Sequence, residues 1–232
     1  MNRNAEIRPS LVWPRSGKGA PVQRFLATFA ALLAVSSAFA KSKPVKATFV
    51  SPCECKDQHG VDRWTPKTDL APPPPFGIGI VTVTPSQIYQ WRGPGPNVPL
   101  TRKTETRLPT EQKWYKLRGR VVDIRVEADG DIHVMLRDAT GNKTGTVGVE
   151  IPVGTKWCKS RRIVFGWTTA EFPFAIKSNR VFTKFEPHVI TVVGKAFYDV
   201  DHAPRDHSNH STIHEKTAAW EIHPVMGLHV EQ

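Results

Sequence analysis

No glycine-rich phosphate cradle and no Gly-x-Ser-x-Gly nucleophile elbow occur in the 232 residues, so P-loop nucleotide chemistry and α/β-hydrolase serine chemistry have no local support. No segment repeats, which argues against a solenoid or propeller. Long apolar runs are missing too. The one sizeable run, Phe25 to Val35, is shorter than the roughly 20 residues a membrane-spanning helix needs. It follows a polar, basic stretch ending at Arg24 and leads into Ala38-Phe39-Ala40, the order of a secretory signal peptide, with cleavage expected after Ala40. No twin arginine precedes the run and no cysteine sits at the small-residue site, so neither twin-arginine export nor lipid anchoring is expected. The expected location is therefore periplasmic or secreted, with no transmembrane segment in the mature chain.

The full chain carries 32 Lys and Arg against 21 Asp and Glu, a formal charge of +11. The leader holds five basic residues (Arg3, Arg8, Arg15, Lys18, Arg24) against Glu6, so its removal lowers the charge by four, to +7. A basic exported protein can meet anionic envelope polymers; nucleic acid would be an unusual ligand there. The plainer account is a solvated, solubilising surface. The three cysteines, Cys53, Cys55 and Cys158, would then lie where disulfides form. Cys53 and Cys55 are too close in sequence to bridge without strain, so one of them is expected to pair with Cys158. A metal or redox site at Cys-x-Cys, lacking a second pair, is the weaker reading.

Composition divides the mature chain. Residues 41–112 contain Pro72-Pro73-Pro74-Pro75 and Gly93-Pro94-Gly95-Pro96, which favour polyproline II and turns and read as an irregular arm. A short helix is expected over Pro85–Trp91. Residues 113–232 have strand periodicity. Trp114–Glu127, an Asp129-Gly130 turn, Asp131–Asp138, then Gly145–Pro152 read as three meandering strands. A looser segment with Trp157, Cys158 and a helix before Phe174 follows, then strands over 188–199 and 219–230. That order predicts an all-β fold, a small five-stranded OB-like barrel, with a five-stranded sandwich as the competitor.

Several of these segments resemble a known group. Asp129-Gly130-Asp131-Ile132-His133, Phe197-Tyr198-Asp199 with Asp201-His202 behind it, and Trp220-Glu221-Ile222-His223-Pro224-Val225 are similar to motifs of a family of uncharacterised exported bacterial proteins, and Cys53–Gly60 with Arg63-Trp64 is similar to its longer branch. The resemblance covers most of the mature chain. It implies an OB-like fold and no particular activity.

Three chemistries are weighed. A metal site, zinc above all, can be built from Asp199, Asp201, His202, His207, His210 and His223, with Asp206, His214 and Glu215 nearby, because imidazole and carboxylate suit divalent transition metals. The same tract also reads as a solvated loop with His223 buried and hydrogen-bonded, and that reading weighs more. His133, alternating with Ile132 and Val134, reads as outward-facing or as a satisfied core polar group. Asp129-Gly130-Asp131 is similar to the acidic strand of thermonuclease-like OB enzymes, but Ile132 stands where that motif has threonine, and a turn accounts for the residues. Polyanion binding is the third, by Lys156, Trp157, Lys159, Arg161 and Arg162, with Trp114, Tyr115, Trp167 and Phe197 as stacking faces. Core tryptophans beside a solvated basic loop explain those residues more simply. The expectation is a non-enzymatic binding or envelope-associated module; the alternative is a metal-dependent hydrolase using residues 199–223.

Overall fold

The computed structural model describes residues 46–55, 62–167, 175–177, 180–181 and 187–231; the expected signal peptide and Ala40 lie outside them. In chain order the strands are β1 (Lys46–Ser51), β2 (Glu54–Cys55), β3 (Ile80–Val83), β4 (Trp114–Val126), β5 (Ile132–Arg137), β6 (Thr146–Ile151), β7 (Ala175–Lys177), β8 (Arg180–Val181), β9 (Val189–Tyr198) and β10 (Trp220–Val230). The helices are α1 (Trp64–Lys67), α2 (Pro85–Tyr89) and α3 (Cys158–Gly166).

Five strands close into a barrel in the order β4-β5-β6-β10-β9, with β9 returning to β4. The β6–β10 contact is parallel and the other four are antiparallel. This is the all-β, OB-like barrel that the strand periodicity implies, and closure leaves none of its five strands with an open edge. The interior is filled by every second residue: Ile132, Val134 and Leu136 from β5, Val147, Val149 and Ile151 from β6, Trp220 and Ile222 from β10. On β4 the buried residues step by two up to Val121 and then jump to Ile124, and a register shift between Val121 and Asp123 resets the phase. Gly194 is needed where β9 meets β10, because a Cβ there would fall 2.6 Å from the Ile222 side chain and closer still to the Pro224 carbonyl oxygen.

The proline-rich arm contributes more than an irregular wrap. Its β3 adds to the outside of β4 in parallel, Ile80 opposite Trp114 through Val83 opposite Leu117. The expected helix forms as α2, started by Thr84 in a reciprocal capping box with Gln87, and its Ile88 enters the core. The cysteine tether is Cys53 to Cys158, joining the arm to the start of α3; Cys55, half-buried on β2, lies outside this bond. Among the described residues no helix is long and apolar enough to cross a membrane.

Candidate functional site

A strand that buries its odd-numbered or even-numbered residues in a barrel must point the others outward. Here the outward residues of three neighbouring strands are polar and yet buried. They are Asp131 and His133 on or just before β5, Glu150 on β6, and Glu221 and His223 on β10, each no more than 6 % exposed. Register brings them together: His133 lies opposite Glu150, and Ile222 of β10 opposite Val149 of β6. Phe197 of β9 closes one side, its ring 5.2 Å from that of His223. The cover comes from the arm and from the loop after β9. The Arg63 guanidinium and the Lys67 ammonium of the α1 region lie 4.7 and 5.8 Å from the Phe197 ring centroid.

Inside this layer His223 is wedged between carboxylates, with Nε2 3.0 Å from Asp131 Oδ2 and Nδ1 3.0 Å from Glu150 Oε2. None of these four atoms has an aligned hydrogen bond, so charge holds the contact more than directional bonding does. His133 donates through Nδ1 to Glu150 Oε1 at 2.7 Å. Burial alone would lower the His223 pKa, but the Glu150 charge and the contacts to Asp131 and Glu150 raise it above the usual histidine value. Glu150 is held well below the usual carboxylate range: burial opposes this, and His223, His133 and Lys67 together outweigh it. Glu221 goes the other way, pushed well above that range by burial and by the charges of Glu150 and Asp199.

The layer opens to solvent through a cleft of about 190 Å³ whose lining includes Lys67, Glu127, Asp129, Glu150, Asp199 and Glu221. Seven of the thirteen lining residues are acidic. Lys67 Nζ sits 3.0 Å from Asp129 Oδ2 and stays charged: burial would lower its pKa, but Glu150, Asp129 and Asp131 raise it further. Asp129 is pushed up to about 7 by burial and by Asp131, against the pull of Lys67. At the rim, His202 Nδ1 meets Asp199 Oδ2 at 2.5 Å, and that hydrogen bond raises the His202 pKa over the opposing effect of burial.

Of the six histidine-tract candidates, Asp199, Asp201 and His202 line the cleft, and His223 lies in the layer beneath, against Glu150. His207 and His210 are not brought to it. His207 turns its Nδ1 to the Gly95 carbonyl at 3.3 Å, and His210 packs its ring 5.2 Å from Tyr89. His214 contacts Arg125 through Nε2 at 2.8 Å. The loop therefore does not gather these residues into one ligand set, because its turns are fixed by other bonds. The polyanion set is split as well. Lys156, Lys159 and Arg162 are exposed, but Trp157 is in the core and Arg161 is fully buried, donating to the carbonyls of Pro52, Ile151 and Gly130. Arg161 thus ties the arm and the Asp129-Gly130 turn to β6 beside the disulfide.

His133, Glu150 and Glu221 are residues that the sequence did not single out as ligands, and Asp131 entered only through the Asp129-Gly130-Asp131 motif. The available signal is period-two placement: Asp131-Ile132-His133 and Glu221-Ile222-His223 each put two polar groups on one face of an apolar strand. Two trios, Asp131–Glu150–His223 and His133–Glu150–Glu221, each bring one donor atom per residue within 4.8 Å of the others, a spacing at which buried acidic and histidine groups can hold a metal ion. Compared with known protein families, with curated proteins and with solved structures, the chain matches none. Fold and site together define a class, an OB-like barrel with a covered acid–histidine layer on the outside of its wall.

Proposed function

We propose that the protein is an exported, non-enzymatic binding module whose acidic cleft takes a positively charged ligand. One observation carries the reading: on a chain whose net charge is +7 even without its leader, acidic residues make up seven of the thirteen that line this cleft. Concentrating carboxylates against the overall charge costs stability through mutual repulsion, and a cation entering the cleft relieves it. Export is supported by the leader-like order of residues 1–40, by the similarity of the strand motifs to exported bacterial proteins, and by the Cys53–Cys158 bond, which suits an oxidising compartment.

Lys67 acts in this account as an internal counter-cation that an arriving ligand must outcompete. Titration calorimetry with spermidine, calcium and zinc at low salt tests it. Asp201→Asn at the rim is expected to weaken binding, and Lys67→Met to tighten it, because the built-in competitor is gone. Absence of binding by every cation, or an unchanged affinity in both variants, would overturn the reading.

One feature favours a second reading, a metal-dependent hydrolase. A carboxyl group that titrates at about 7, as Asp129 does beside Lys67, can exchange a proton at neutral pH. Hydrolysis of phosphate or carboxylic esters that disappears in Asp129→Asn would support it.

A further inference from the structure

The geometry points to a transition-metal site on the outer wall of the barrel, in which His133 and Glu221 are the ligands, Glu150 orients the imidazole, and the Met135 thioether completes a donor set suited to copper before zinc. This inference names the ligand class for the cleft and rests on its reading as a cation site.

The site is built on three adjacent strands. His133 and Met135 stand two apart on β5 and share a face, Gly148 and Glu150 do the same on β6, and Glu221 comes from β10. The backbone register sets His133 against Glu150 and Met135 against Gly148. His133 Nδ1 lies 2.7 Å from Glu150 Oε1, which turns Nε2 away from that carboxylate and toward Met135 and Gly148. A carboxylate on the far nitrogen is the arrangement that orients metal-binding histidines and increases their basicity. Met135 Sδ lies 2.9 Å from that Nε2, in hydrogen-bond contact, so an ion taken up there would part the two atoms and meet both.

Two further observations point to an occupant. Glu221 is 5 % exposed and faces the cleft, and among the described residues its carboxylate has no hydrogen-bonding or ion-pairing partner. Lining the cleft, it is open to an ion that enters from solvent. Gly148 leaves a hollow at the same place. A Cβ on it would sit 2.7 Å from Glu221 Oε1 and 2.9 Å from His133 Nε2, so the missing side chain opens a small space flanked by both donors. The neighbouring trio of Asp131, Glu150 and His223 offers no such opening, because His223 is already wedged between the two carboxylates at 3.0 Å.

The donor types select the ion. One imidazole, one carboxylate and one thioether fall short of the six to eight oxygens calcium requires, and magnesium seldom accepts nitrogen or sulfur. Imidazole suits copper and zinc alike, whereas the soft thioether favours copper, above all in its reduced form.

The test uses the full mature protein, stripped with chelator and titrated with Cu²⁺, Zn²⁺ and Ca²⁺, with calorimetry for affinity and electron paramagnetic resonance for the copper ligands. One equivalent of Cu²⁺ is expected to bind, with nitrogen hyperfine structure from a single imidazole and tighter than Zn²⁺. Glu221→Gln should weaken copper at least tenfold, and Gly148→Ala, which keeps every donor residue but puts a methyl into the hollow, should do the same. Met135→Leu should weaken copper while sparing zinc. Circular dichroism and thermal unfolding confirm that each variant is folded, and should Gly148→Ala fail that check, Glu221→Gln decides alone. No stoichiometric uptake of copper or zinc, or wild-type affinity in the folded variants, would overturn the site. Spermidine or calcium binding that is lost in Asp201→Asn while copper is ignored would refute this site and leave the acidic-cleft reading intact.

Discussion

The guanidinium of Arg63 and the carboxylate of Glu111 meet as a two-pronged pair, 2.8 Å at each N–O contact, with both side chains buried. Arg63 also donates to the carbonyls of Thr104, Thr106 and Tyr198, and Glu111 accepts from the backbone of Leu108 and Tyr198. The pair therefore fastens the arm to the end of β9 and fixes one wall of the cleft. Its formation offsets a large desolvation cost, and removing one partner strands the other charge. Glu111→Gln, nearly equal in volume, is expected to cost about 3–5 kcal/mol of unfolding free energy. Urea denaturation measures it, and a loss below about 1 kcal/mol would show that the pair contributes little beyond its volume.

Asn209 holds the long loop between β9 and β10 in the same manner. Its Nδ2 donates to the Ile88 and Trp91 carbonyls at 2.7 and 3.1 Å, and its Oδ1 accepts from the amides of Ala219 and Trp220, both at 3.0 Å. Asn209→Ala leaves these backbone groups unsatisfied in a buried place. The expected cost is about 2–3 kcal/mol, with the loop exchanging its amide hydrogens faster than the barrel strands do. Uniform exchange across loop and barrel would contradict the assignment of Asn209 as the tie.

The Cys53–Cys158 bond spans 105 positions. Closing a loop of that length restricts the unfolded chain, and in the chain-entropy model it stabilises by about 4–5 kcal/mol. Replacing both cysteines by serine should lower the unfolding midpoint accordingly. Peptide mapping without reduction should recover a Cys53–Cys158 crosslinked fragment; a Cys55–Cys158 fragment in its place would refute the pairing.

The barrel was legible from the sequence because its strands are runs rich in β-branched and other apolar residues, alternating with polar ones over parts of β4, β6 and β10, and because Asp129-Gly130 and Gly141 mark turns that the structure forms with positive φ at both glycines. Strand β3 was hidden by its setting, a four-residue strand between a proline run and a proline-started helix, where composition argues for a loop. The site was half legible. Asp199, Asp201, His202 and His223 stand out as histidine and carboxylate close in sequence, and the structure puts three at the cleft and the fourth beneath it. Glu150 sits alone in an apolar strand and Glu221 has only His223 beside it on the same face, so their partners on the neighbouring strands are not visible in the sequence. Only the register of β5, β6 and β10 reveals them, and register is a property of the closed barrel. Local composition overrated His207 and His210, since a histidine-rich loop says nothing of where its bends point the rings.

Asp69 supplies a pH dependence set apart from the cleft. Its Oδ2 lies 2.6 Å from Lys195 Nζ and 3.3 Å from Arg107 Nε, and its Oδ1 accepts from the Ala71 amide at 2.9 Å. Burial acts to raise its pKa, but the bonds from Lys195 and Ala71 and the charges of Lys195 and Arg107 outweigh it, leaving the folded value below the ordinary 3.8. A carboxyl with a lowered folded pKa stabilises the protein fully above its unfolded value and loses that contribution as pH falls through the folded one. The stability difference between wild type and Asp69→Asn should accordingly stay constant from neutral pH down to about 5 and close progressively below about 4. Urea denaturation at a series of pH values checks this. A difference that persists unchanged at the acid end would mean that Asp69 acts through packing, with no contribution from its charge.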